Sequence, residues 1–140
     1  MEKTKQKVVA VAVIRNEEGK ILVQKRIDPL TPEADGKWEF PGGVVEFGET
    51  PEQAIQRECK EEVDCTIEVV RLLPLAHTRI WHRTDGELVQ AFVWCFETRL
   101  VEGVPKPSDS KVAEVMWCSK EEVLALDSLP GTKKALELID

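Results

Sequence analysis

The sequence predicts an α/β protein, an α/β/α sandwich on a mixed β-sheet, and three observations carry that prediction. Its elements read in the order β-β-loop-helix-β-β-β-helix. The strand signals are those of a mixed sheet, and helices are few. At 140 residues the chain suits one domain with a real core, spanning residues 1–140, and is short for two.

The β-rich run at residues 8–14 reads as the first strand, and Asn16-Glu17-Glu18-Gly19 supplies a turn. Residues 21–26 form the second strand. Residues 27–37, with Pro29, Pro32 and Gly36, read as a loop. Trp38-Glu39-Phe40 is a short extended piece ending at Pro41, before the glycine pair Gly42-Gly43. A helix follows over residues 51–63: Thr50 caps it, Pro51 takes its first position and Glu52 puts negative charge in its first turn. Residues 65–83 alternate as one or two strands interrupted at Pro74. Asp85-Gly86 signals a hairpin that returns through residues 88–100. Residues 101–110 are polar with two prolines and read as a loop, and residues 112–118 as the last strand. Ser119-Lys120-Glu121-Glu122 is a capping box opening a short helix, and residues 132–139 are a C-terminal helix.

Composition excludes several function classes. A hydrophobic fraction of 42% and a charged fraction of 32% are those of a soluble globular protein. No apolar run approaches the roughly 20 residues that span a bilayer. The run Met1-Glu2-Lys3-Thr4-Lys5-Gln6-Lys7 is basic, but residues 8–14 are too short and β-like for a secretory core, so a cytoplasmic location is expected. Cys59, Cys65, Cys95 and Cys118 lie in apolar contexts without C-x-x-C spacing and read as reduced core thiols. A net charge of −7 argues against a nucleic-acid polymer as partner. It does not exclude nucleotides, since a bound cation reverses the local field.

The chemistry concentrates on the helix at residues 51–63. At roughly 100° per residue, Ile55, Cys59 and Val63 share the buried stripe. Glu58, Glu61 and Glu62 share a second arc flanking Ala54, while Gln53, Gln56 and Lys60 face solvent. Three carboxylates that close resist ionising together. Two readings are open: a surface helix in a Glu-rich protein, or a cluster neutralised by a hard divalent cation such as Mg²⁺.

Gly43, five residues, Glu49, seven residues, then Arg57-Glu58-Cys59-Lys60-Glu61-Glu62 resembles the signature box of the Nudix hydrolases. Two positions depart from it. Cys59 fills an apolar slot, and Asp64 replaces the glycine that ends the helix, a position Asp tolerates. The likeness covers essentially the whole chain, more loosely outside the box, and implies the Nudix fold. It also implies hydrolysis of a nucleoside diphosphate linked to a moiety X, with Mg²⁺, or Mn²⁺ in its place, as cofactor. Glu58, Glu61 and Glu62 match the family's metal-binding glutamates, with Glu58 the candidate for general base as well. The Gly42 carbonyl resembles a further ligand, and Glu49 matches the position that pairs with Arg57 to fix loop against helix. In the region where some members add a carboxylate, Lys111 takes the aligned position, and Asp109 and Glu114 are alternatives beside a solvated-loop reading.

For substrate binding, Arg26 resembles a family arginine that holds phosphate, and Trp38 before Glu39-Phe40-Pro41-Gly42-Gly43 resembles the MutT-like branch acting on nucleoside triphosphates. Arg79, Lys37 and Arg83 are further candidates for phosphate. Trp81 and His82 lie near a hairpin end, where an aromatic can stack on a base. For Arg26 strand-end solvation, and for Trp38 core packing, are equally good readings. His77 reads as a satisfied strand histidine, and Trp94 and Trp117 as core. The expected substrate is a (deoxy)nucleoside triphosphate, cleaved to monophosphate and pyrophosphate by a monomer or homodimer. Alternatives are ADP-ribose or a nucleotide sugar, whose hydrolases carry more chain before the first strand, and an inactive nucleotide sensor, which intact box glutamates disfavour.

Overall fold

The computed structural model describes residues 3–140; Met1 and Glu2 of the basic N-terminal run lie outside the described residues. Its centre is a pair of long strands, β1 (Thr4–Arg15) and β7 (Leu88–Glu102), which run parallel in unbroken register from Thr4 opposite Leu88 to Arg15 opposite Arg99. The remaining pairings between named strands are antiparallel, so the sheet is mixed. On one side lie β2 (Ile21–Arg26), β3 (Trp38–Glu39) and β8 (Val112–Cys118); on the other lie β5 (Thr66–Leu72) and β6 (His77–His82), both on β7.

A short strand, β4 (Gly42–Val44), pairs with β1 and sets Gly42 opposite Val11 and Gly43 opposite Ala10. A side chain on Gly42 would stand 2.2 Å from the Ala10 carbonyl oxygen, so only glycine lets the two backbones approach this closely. The sequence alone left this pairing unread, because glycine has low strand propensity.

Helices cover both faces. α1 (Pro51–Val63) buries Ala54, Ile55, Cys59 and Val63 against Ala10, Ala12 and Ile14 of β1, with Phe96 of β7 in the same cluster. α2 (Lys120–Ala125) and α3 (Thr132–Glu137) cover the opposite face, where Val123, Ala135 and Leu136 meet Val13, Ile21, Val23 and Cys95. Each fully buried Val, Leu or Ile among them contributes about 1.5–3 kcal/mol of transfer free energy. The three layers of the expected sandwich are therefore present. Among the described residues no helix is long and apolar enough to cross a membrane.

α1 begins and ends as the sequence predicts. The Thr50 hydroxyl accepts the Gln53 N–H at 3.2 Å and the Gln53 side chain returns a bond to the Thr50 N–H at 2.9 Å, a reciprocal cap. Asp64 closes the helix in the left-handed region at φ 54°.

Four expectations need correction. β1 begins at Thr4 and β7 runs on to Glu102, because each extends the other's ladder past its apolar run. α3 ends at Glu137, short of residue 139. Trp94 is not core: it is 45% exposed, on the sheet face that α1 covers only as far as Phe96. Trp117 is half-buried and packs against the α1-side cluster.

Candidate active site

The last turns of α1 face the bend between β3 and β4, and carboxylates from both segments meet there. Glu62 is only 6% exposed, and its Oε1 accepts the Gly42 N–H at 3.0 Å and the Gln24 Nε2 at 3.4 Å. Glu58 lies one turn earlier, with its carboxylate where a side chain on Gly43 would be, 2.5–2.8 Å from that Cβ position. The glycine pair thus serves two close approaches, Gly42 to the β1 backbone and Gly43 to Glu58.

Gln24 of β2 is fully buried between two acids. Its Nε2 donates to Glu39 Oε2 at 2.9 Å as well as to Glu62, while its Oε1 is buried without a donor. Glu39 also meets Arg26, whose Nη1 lies 3.3 Å from Glu39 Oε1 and whose Nη2 pairs with Asp28 at 2.6 Å. The carboxylates that converge are therefore Glu39, Glu58 and Glu62. Burial, then the charges of Glu39 and Glu58, push Glu62 up to about 8 against the opposing hydrogen bond from Gly42. Burial likewise raises Glu39 and Glu58, with Arg26 and Arg57 respectively opposing it.

Arg57 organises the flank. Its Nε and Nη2 grip the two oxygens of Glu49 at 2.8 and 3.0 Å, Nη2 also donates to the Val44 carbonyl at 3.1 Å, and Nη1 donates to Glu58 at 2.9 Å. One guanidinium thus ties the loop before α1 to β4 and steadies Glu58. Its hydrogen bonds, and one from the Glu46 N–H, hold Glu49 down to about 2. Glu61 accepts from Arg57 at 3.3 Å, with its side chain 52% exposed.

A cleft of about 380 Å³ opens over this group. Gly42, Gly43, Glu39, Glu58 and Glu62 form its acidic wall, and Arg26, Lys7 and Lys111 also border it. Its remaining lining is largely apolar, with Val9, Val11, Leu75, Cys95 and Ala135. Such a cleft, apolar with a few convergent polar groups, is the form of a small-molecule site.

As placed, no three His, Cys, Asp or Glu side chains among the described residues enclose an ion by themselves. Mg²⁺ does not require that, since it is held by one or two carboxylates together with water and substrate phosphates. Glu58 and Glu62 suit that role: among the described residues each has one oxygen engaged by protein donors and the other free of them. A proton affinity as high as that of Glu62 also marks a carboxyl that a cation would stabilise in its ionised form.

The candidates from the sequence separate cleanly. Gly42, Glu58, Glu62, Arg26, Arg79 and Trp81 border the cleft, as do His77 and Lys111. Arg57, Glu49 and Glu61 form the clamp behind it. Trp38 joins the core cluster beneath α2 and α3, away from the cleft lining. Lys37 pairs with Asp127 at 2.7 Å, His82 with Glu33 at 3.1 Å, and Arg83 with Asp85 and Glu87 at 3.7 Å. Asp109 accepts the Lys111 N–H at 2.8 Å, and Glu114 faces Lys25 at 3.8 Å on the surface. Sequence reasoning missed Gln24, Glu39 and Lys7. Strand alternation carried a signal for Lys7, which shares a face with Val9 and Val11.

Comparisons with known proteins bear on the family and the fold. The NUDIX domain profile matches residues 4–139. The chain is 38% identical over 130 residues to the 8-oxo-dGTP diphosphatase of Escherichia coli (strain K12), covering 91% of this chain and 92% of that protein. It is 47% identical over 128 residues to the 8-oxo-dGTP diphosphatase of Haemophilus influenzae, covering 91% and 87%. Among solved structures, the MutT NUDIX hydrolase from Burkholderia pseudomallei superposes with a TM-score of 0.70 at 28% identity, covering 96% of this chain and 98% of that one.

Proposed function

This chain belongs to the NUDIX family of hydrolases, and from that premise we propose that it cleaves a (deoxy)nucleoside triphosphate to the monophosphate and pyrophosphate with Mg²⁺ as cofactor. The observation that carries the reading is the placement of Glu58 and Glu62 beside the glycine pair, on the wall of a cleft that Lys7, Arg26, Arg79 and Lys111 also border. Acids there are suited to a cation, and Arg26, Lys7 and Lys111 to a phosphate chain.

A divalent cation held there would neutralise phosphate oxygens and make water easier to deprotonate. The chain's own residues then position and move a proton. Glu62, anchored by the Gly42 N–H and Gln24, would be a fixed ligand. Glu58 is held at one oxygen by Arg57, which leaves the other to take a proton from the attacking water. Arg57 and Glu49 keep that geometry without contacting substrate. Phosphoanhydride cleavage asks for little more than this positioning and charge neutralisation.

Two of the relatives are named 8-oxo-dGTP diphosphatase, and a third, from Escherichia coli, is named CTP pyrophosphohydrolase, 32% identical over 122 residues. Oxidised and ordinary triphosphates therefore head the substrate panel. The test is product analysis on that panel with Mg²⁺. Pyrophosphate and monophosphate in equal amounts support the reading; orthophosphate with diphosphate, or binding without turnover, contradicts it.

A further inference from the structure

The sheet face turned away from the cleft is only partly covered. Alternation along β1, β6 and β7 sends Val9, Val93, Arg79 and Trp81 into the cleft and turns Val8, Phe92, Trp94 and Ile80 to the other side. On that side α1 packs over Ala10, Ala12 and Phe96. Beyond its reach Phe92 lies between Val8 of β1 and Thr78 of β6, and Gln90 of the next row lies between Gln6 and Ile80. Leu72 of β5 stands opposite Phe96 and shares a shallow hollow with Phe92 and Trp94, so the surface is continuous.

Five large apolar side chains of this face, Val8, Leu72, Ile80, Phe92 and Trp94, are between 36% and 51% exposed. At about 150–250 Å² for a whole large side chain, they leave on the order of 450 Å² of apolar surface in one patch. A specific protein–protein contact buries roughly 800 Å² on each partner, about 56–65% of it non-polar, which is about 450–520 Å². The patch therefore supplies the apolar share of one such contact.

Charge and hydrogen bonding say what covers it. The chain carries a net charge of −7, yet none of the residues named on this face is charged. A partner of another kind is selected through complementary charge, and these residues offer none. Contact between two copies sets a patch against itself about a two-fold axis, so the patch must be its own complement. A neutral apolar surface meets that demand. So does the polar row beside it: Gln6 Nε2 donates to Gln90 Oε1 at 2.8 Å, which leaves an acceptor on Gln6 and amide donors on Gln90. Across a two-fold axis each of these can meet the other. The cleft opens on the opposite side of the sheet, so both copies keep it accessible.

We propose that two copies of this chain dimerise through the α1-side face of β1, β6 and β7, around Phe92 and Trp94. The proposal goes beyond the hydrolytic reading and does not depend on it. Sedimentation velocity of the full chain from about 1 to 100 μM tests it, with Trp94→Glu and Ile80→Lys as variants on two strands. Val104→Glu, in the exposed loop after β7, is the control. The wild-type chain and the control should sediment as dimers at the upper concentrations. Each of the two face variants should raise the dissociation constant at least about tenfold, with circular dichroism unchanged. A wild-type chain that stays monomeric throughout overturns the assignment. So does a dimer that survives both face substitutions, or one that Val104→Glu weakens as much as they do.

Discussion

Replacing Glu62 with glutamine separates the two demands placed on that side chain. Its carboxyl is raised from the ordinary 4.5 to about 8, first by burial and then by Glu39 and Glu58. A group whose folded value lies above its unfolded value stabilises the fold below the unfolded value and loses that contribution as pH rises through the folded one. The metal-free protein should therefore lose stability between about pH 5 and pH 8, by up to about 4 kcal/mol at about 1.4 kcal/mol per pKa unit. Glu62→Gln removes the titration and keeps an acceptor for the Gly42 N–H. It also brings an amide donor beside Gln24, whose Oε1 lacks one. Urea denaturation in EDTA at pH 5.5 and pH 8.5 should show a falling midpoint for the wild-type chain and a nearly flat one for the variant. Turnover in Mg²⁺ should fall at least about tenfold. A variant with the wild-type pH slope, or with unchanged kcat and Mg²⁺ dependence, would refute the reasoning.

Other residues give independent checks. Arg57→Lys cannot grip both oxygens of Glu49 while reaching Val44 and Glu58, so kcat should drop about 10- to 100-fold with circular dichroism unchanged. Gly43→Ala drives a methyl into the Glu58 carboxylate; activity should fall and the Mg²⁺ requirement rise, with modest loss of stability because the displaced group ends a flexible side chain. Ile55→Ala empties a fully buried site under α1 and should cost about 2–5 kcal/mol in urea denaturation.

Much of this architecture was legible because local and tertiary preferences coincide. α1, β2 and β8 have the bounds their patterns indicate, since cap, apolar stripe and strand alternation agree with what the fold buries. The acidic arc was legible too, but only as an arc. Its division was not: Arg57 draws Glu61 outward, while the burial of Glu62 depends on Gln24 and Gly42, which are distant in sequence. Glu39 and Gln24 looked like ordinary polar strand positions, and only the pairing of β2 with β3 brings them together beneath the glycine pair. Trp94 failed for the opposite reason. Its strand pattern suits a buried face, but α1 is too short to cover that far along β7.

A cation held by Glu58 and Glu62 would sit at the centre of the proposed chemistry. Manganese binding to the wild-type chain, to Glu58→Gln and Glu62→Gln, and to Glu114→Gln as a surface control measures that claim without turnover. The dissociation constant should rise at least about tenfold in the first two variants and stay at the wild-type value in the third. Equal affinity in all four proteins would contradict it.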